Sequence, residues 1–221
     1  MKKIILSVLL SVFYLTSSSA EIGVNVGISG SAGLFAVSGK EAMTSTEGGQ
    51  TTKGSEHGEA AFGSIFIEKT IGDRFAIGID YVPSSLSTET AESQKLDTTE
   101  GTQTAGQNKI QIDFEDLTTY YVAINVFDSM YVKAGMVTVD IITNESLTTG
   151  STYGNTDMDG TLFGVGYNKS FDSGMFIRVE GNYMDFDGAS VTGTGTETVA
   201  AKVSLNQLHG LTGKLSVGKS F

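Results

Sequence analysis

The last stretch of the chain, residues 199–221, alternates between apolar and polar side chains at every second position. The first parity is mostly apolar: Val199, Ala201, Val203, Leu205, Leu211, Gly213, Leu215, Val217, Lys219 and Phe221. The other parity holds small or polar residues such as Ser204, Thr212, Lys214 and Ser216. A two-residue period is that of a β-strand. The pattern therefore predicts a strand with an apolar medium on one side and a polar one on the other.

The start of the chain predicts export. Lys2 and Lys3 precede an apolar run over residues 4–15, which serines and Ala20 follow. A charged segment, a short apolar segment and small residues are typical of a secretory signal peptide. A membrane anchor is disfavoured because a spanning helix needs about 20 apolar residues. We predict a signal peptide at 1–20, cleaved before Glu21, and one exported domain at 21–221.

Composition favours a β-structure without disulfides. The chain has 28 glycines, one proline and no cysteine, and its mean hydropathy is near zero. A closed hydrogen-bonded barrel would supply stability without disulfides because it leaves no edge strand unpaired. The formal net charge of −11 excludes nucleic acid as a partner, because binding phosphates needs clustered lysine and arginine.

Eight alternating segments can be read along the mature chain: 22–37, 60–69, 74–82, 109–126, 130–142, 161–170, 175–186 and 199–221. Their connections alternate between long and short, with long loops at 39–58, 84–108, 143–160 and 187–198. We therefore predict an all-β fold, an eight-stranded antiparallel transmembrane β-barrel with short periplasmic turns, periplasmic termini and long external loops. The facing of 60–69 stays open, because Phe62 and Phe66 oppose Ile65 and Ile67.

A soluble, lipocalin-like barrel is the alternative, with its apolar face turned inward. Charges on the polar parity argue against it. The predicted interior charges are Arg74, Asp80, Lys133, Arg178, Glu180, Lys202 and Lys214. Eight strands leave a lumen that side chains fill, and buried charges there should pair. A permanently closed core is the favoured interpretation, and a gate that opens a narrow passage is the alternative.

Three segments resemble the small bacterial outer-membrane barrels of the OmpA, OmpX and opacity-protein type: GVGY at 164–167, MFIRVEGNY at 175–183, and the terminal Phe221. The resemblance implies that Leu215, Val217 and Phe221 form a C-terminal signal for the outer-membrane assembly machinery. It also implies contact with outer-membrane lipid and lipopolysaccharide, and loops that meet an external ligand. No cofactor is implied.

The favoured function is a structural, surface-exposed or adhesion-type role, and a narrow porin-like channel for ions or small solutes is the alternative. A lipid-modifying enzyme is disfavoured. His57 falls in a predicted loop, and His209 has the lipid-facing parity, opposite to that of Ser204 and Ser216. Two acidic pairs, at 157 and 159 and at 185 and 187, fit turn chemistry better than a calcium loop. No catalytic or metal-binding residue is predicted.

Overall fold

The computed structural model describes residues 22–44, 50–97, 104–147, 152–194 and 200–221. The predicted signal peptide at 1–20 and its cleavage point lie outside these residues. This part of the chain contains no helix that is long and apolar enough to cross a membrane.

Eleven strands make up one antiparallel sheet in the described residues. They are β1 (Ile22–Thr44), β2 (Gln50–Ile71), β3 (Phe75–Tyr81), β4 (Leu86–Ser87), β5 (Ala91–Asp97), β6 (Thr104–Asn125), β7 (Met130–Ser146), β8 (Thr156–Ser170), β9 (Met175–Phe186), β10 (Ala189–Thr192) and β11 (Ala200–Ser220). Eight of them follow the order β1-β2-β3-β6-β7-β8-β9-β11, and β11 pairs back with β1. The predicted eight-stranded antiparallel barrel is confirmed. The short strands β4 and β5 extend the sheet beside β6, and β10 extends it beside β11.

One end of the barrel carries short turns, and we call it the turn end. The turns join β2 to β3, β6 to β7 and β8 to β9. Gly72 and Gly174 have positive φ angles in two of them, a conformation that glycine adopts without a steric penalty. At the same end, Val24 and Phe221 exchange backbone hydrogen bonds, so the last residue is paired with the first strand. The opposite end is called the loop end.

Several strands run further toward the loop end than their sequence pattern predicts. Most of the predicted loop at 39–58 belongs to β1 and β2, so His57 lies in a strand. The predicted loop at 84–108 contains β4, β5 and the start of β6, and β10 lies within 187–198. The extensions lie beyond the apolar belt described below. The outward side chains of these extensions do not contact an apolar medium, so they need not be apolar. The alternation of apolar and polar residues that identifies a strand in the sequence is therefore absent there.

The facing of β2 is settled by burial. Phe62 and Phe66 point into the barrel and are 9% and 6% exposed, whereas Ile65 and Ile67 point outward and are 52% and 41% exposed. Exposed apolar side chains continue around the outside on every barrel strand, for example Ile28, Phe75, Val122, Val132, Phe163, Val179 and Leu211. A soluble lipocalin-like barrel would bury this face. Such a belt is what a lipid-facing barrel wall requires.

Candidate functional site in the barrel lumen

The centre of the polar lumen is Glu68 on β2, which is 1% exposed. Its carboxylate accepts two hydrogen bonds from the Arg178 guanidinium, at 2.5 and 2.7 Å. Asn25 Nδ2 donates a third at 3.0 Å, and the Tyr121 hydroxyl donates a fourth at 2.7 Å. Bidentate pairing with additional donors is the arrangement that a buried carboxylate needs to offset its desolvation.

Arg178 is surrounded by aromatic rings. Its guanidinium carbon lies 4.5 Å from the ring centroid of Phe176 and 5.6 Å from those of Phe66 and Tyr131. Cations are attracted to aromatic faces at these distances. The rings therefore exclude water from the Arg178–Glu68 pair while still stabilising the positive charge.

Two further ion pairs complete the charged layer. Lys133 Nζ lies 2.6 Å from Glu180 Oε2, and the Tyr131 hydroxyl donates to the other carboxylate oxygen of Glu180. Lys214 pairs with Asp80 across the lumen. Each basic residue of the layer thus has its own carboxylate, and the layer is neutral as a whole.

The structure places five of the predicted charges in the lumen: Asp80, Lys133, Arg178, Glu180 and Lys214. Arg74 is not there, because it lies exposed in the turn between β2 and β3, past the last interior row. Lys202 is also exposed. The β1–β11 register shifts between Ser38 and Gly39, and this bulge reverses the facing of β11 beyond it. Counting every second residue from Lys214 predicts that Lys202 points into the lumen. That prediction is wrong because the bulge lies between the two lysines.

Sequence reasoning missed Glu68, the acceptor at the centre of the layer. The sequence predicts no facing for the segment around it, because phenylalanine and isoleucine occupy opposite parities. The signal was present in Phe66, which shares its parity with Glu68 and packs beside Arg178.

Four glycines make room for the interior aromatic rings. The rings of Phe66, Tyr121, Tyr131 and Phe176 each face a glycine directly across the adjacent strand. A Cβ atom added to any of these glycines would lie within 2.3–2.6 Å of the facing ring, and the glycines are Gly27, Gly78, Gly166 and Gly218. The four pairs use all eight barrel strands once each.

The lumen changes character toward the loop end. On β7, Lys133 is followed by the inward side chains of Val137, Val139 and Ile141, and on β9 Glu180 is followed by Met184 and Phe186. These side chains form one apolar core with Phe62, Val82, Leu117, Met158, Leu162 and Leu208. Val137 is completely buried.

A cavity of about 10 Å³ lies where the charged layer meets the apolar core. Its lining includes Asp80, Lys133 and Lys214 from the charged layer, and Phe62 and Leu162 from the apolar core. A space of this size is about that of one water molecule. The lumen is therefore filled by side chains from its charged layer to its apolar core.

Two carboxylates, Glu41 and Glu145, lie near Tyr153 at the loop end. The Tyr153 backbone N–H donates to Glu145 Oε1 at 2.6 Å. Burial raises the pKa of the Tyr153 phenol, and the negative charges of Glu41 and Glu145 raise it further. This tyrosine therefore stays protonated and neutral at physiological pH and adds no negative charge beside the two carboxylates.

The three residues of the predicted C-terminal signal lie on the outer surface. Leu215 and Val217 belong to the apolar belt on β11, and Phe221 is exposed at the turn end. Each has the facing that its sequence parity predicts.

The closed antiparallel barrel with an apolar outer belt has the fold of the small bacterial outer-membrane β-barrels, which the sequence predicts. The outer membrane protein OprG of Pseudomonas aeruginosa is similar in fold, with 10% sequence identity and a TM-score of 0.52, over 92% of this chain and 98% of that chain. The outer membrane protease OmpT of Escherichia coli is similar with 11% identity and a TM-score of 0.51, over 93% and 99% of the two chains. No family model and no curated protein matches the sequence.

Proposed function

We propose that the protein is an integral barrel of the bacterial outer membrane with a structural, surface-exposed or adhesion-type role, and that it acts neither as a conduit nor as an enzyme. The observation that carries this proposal is the filled lumen. In the described residues, the three ion pairs of the charged layer and the apolar core around Val137 occupy the lumen, and a cavity of about 10 Å³ lies between them. A passage for solutes would require both layers to move.

The proposed orientation places the turn end in the periplasm and the loop end outside the cell. The signal peptide that the sequence predicts at 1–20 would direct export. Short turns on the periplasmic side and long loops on the external side are the usual arrangement of such barrels. The loops would then meet an external ligand, and the outer rim would meet lipopolysaccharide. Leu215, Val217 and Phe221 are proposed as the signal for the assembly machinery.

Planar-bilayer recordings test the closed lumen. The purified mature protein should produce no reproducible conductance steps, because buried side chains of the charged layer and the apolar core occupy the lumen. A porin prepared in the same detergent is the positive control. Stepwise openings of the wild-type protein would contradict the proposal and favour the narrow porin-like channel. A change in lipid A mass on expression would instead favour a lipid-modifying enzyme.

A further inference from the structure

The two histidines of the chain lie in one row on the outer wall of the barrel. They are the only histidines in the sequence and are far apart along it. In the strand register, Ala36 on β1 pairs with His57 on β2 on one side and with His209 on β11 on the other. His209 in turn pairs with Asp185 on β9. All four side chains face outward, away from the lumen.

The distance between His57 and His209 allows both imidazoles to bind one metal ion. Neighbouring strands lie about 4.8 Å apart, so the Cα atoms of His57 and His209 are about 10 Å apart. Between them stands only the methyl group of Ala36. Two imidazoles that lean toward each other over this small side chain can bring one nitrogen each to within about 2.1 Å of a shared zinc ion.

His209 is already held for such a role. Asp185 Oδ1 and the Tyr183 hydroxyl each lie 3.0 Å from His209 Nδ1, and the Tyr183 and His209 rings stack with centroids 6.0 Å apart. A carboxylate on one imidazole nitrogen fixes the tautomer and leaves the other nitrogen as a ligand. Both contacts engage Nδ1, so Nε2 remains for a metal ion.

We propose that His57 and His209 bind a divalent transition-metal ion such as Zn²⁺, with Asp185 positioning His209. Imidazole ligands select zinc, copper and nickel over magnesium and calcium. No group of three or more His, Cys, Asp or Glu side chains in the described residues is placed to hold a metal ion. The site therefore has two protein ligands, and water completes the coordination.

The location gives the site a structural consequence. His209 belongs to the last strand, whereas Ala36 and His57 belong to the first two, so an ion bound by both histidines spans the β1–β11 seam where the barrel closes. An ion that binds only the closed barrel stabilises it by mass action. The ion thus acts as a clamp on the seam.

The test measures Zn²⁺ binding by titration calorimetry, and thermal unfolding with Zn²⁺ or with chelator, on the mature barrel in detergent. The wild-type protein should bind one ion and unfold at a higher temperature with Zn²⁺. His57→Ala and His209→Ala should each abolish this shift. Asp185→Asn should weaken binding by about tenfold or more, while both ligands remain.

Ala36→Ile is the decisive variant, because it keeps both histidines and fills the space between them. It should abolish the Zn²⁺-dependent shift, whereas Ala32→Ile, on the same face of β1 and four residues nearer the turn end, should retain it. Heat-modifiable gel migration checks that each variant folds. Zn²⁺ binding that survives His57→Ala or Ala36→Ile, or a wild-type protein that binds no Zn²⁺, would overturn the proposal.

Discussion

Glu68 is the residue on which the charged layer of the lumen depends. It accepts hydrogen bonds from Arg178, Asn25 and Tyr121, which come from β9, β1 and β6. Removing its carboxylate leaves the Arg178 guanidinium among aromatic rings without an anion. A buried charge that has lost its partner is far more costly than an exposed one.

We expect Glu68→Ala to lower the free energy of unfolding by about 3–5 kcal/mol. The matched control is Glu92→Ala, because Glu92 forms an exposed ion pair with Lys109 at 2.8 Å. Exposed pairs contribute less than about 1 kcal/mol. Urea unfolding of the barrel in lipid vesicles, followed by tyrosine fluorescence, measures both. Equal effects of the two substitutions would contradict the assigned role of Glu68.

Pairs of glycine and aromatic residues help to fix the register between adjacent strands of the barrel. Four large interior rings each lie over a glycine of the adjacent strand, so each ring and its glycine must stay in register. A register slip by one residue would also exchange the two faces of a strand. The pairs therefore help to specify one alignment of the eight strands.

Gly166→Ala should destabilise the barrel by about 1–3 kcal/mol, the usual cost of overpacking. Its Cβ atom would lie 2.3 Å from the Tyr131 ring, which is held by its hydrogen bond to Glu180. The control is Gly181→Ala on the neighbouring strand, where nothing lies within 4 Å of the added atom. That change should be neutral or slightly stabilising, because alanine loses less backbone entropy than glycine on folding. Comparable losses of stability in the two variants, measured by urea unfolding, would show that the ring contact is unimportant.

The whole molecule divides along its axis into regions of different chemistry. The outer apolar belt surrounds the charged layer, and several strands continue past the belt to the loop end, where the wall carries polar side chains. From the turn end to the loop end, the outer wall changes from apolar to polar, whereas the lumen changes from charged to apolar. The charged layer lies at the level of the belt, and the apolar core lies nearer the loop end. The part beyond the belt is thus packed like a water-soluble β-protein, which suits exposure outside a cell.

The orientation can be measured with epitope tags. A tag inserted beside Gly154, in the connection between β7 and β8, should be stained by antibody on intact cells, because the proposed orientation places it outside. A tag at Asp128, in the turn between β6 and β7, should be stained only after the outer membrane is permeabilised. The reverse pattern would exclude a periplasmic turn end. Heat-modifiable migration of both tagged proteins controls for folding.

The sequence by itself determined the number of barrel strands, their antiparallel order and, on every barrel strand except β2, the face that touches the apolar belt. These features follow from the alternation of apolar and polar side chains along each strand. The alternation is local, because successive side chains point to opposite faces and each face contacts a different medium. Alternation also identified Asp80, Lys133, Arg178, Glu180 and Lys214 as interior charges. It did not detect the strand extensions beyond the belt, where no apolar medium marks one face.

Only the tertiary structure decided which charges meet. The Arg178–Glu68 pair joins β9 to β2 across the lumen, and the row of His57, Ala36 and His209 joins three strands from opposite ends of the chain. The bulge on β11 also turned Lys202 outward, against its parity. Such contacts depend on the register and closure of strands that are distant in sequence, and no local period carries that information.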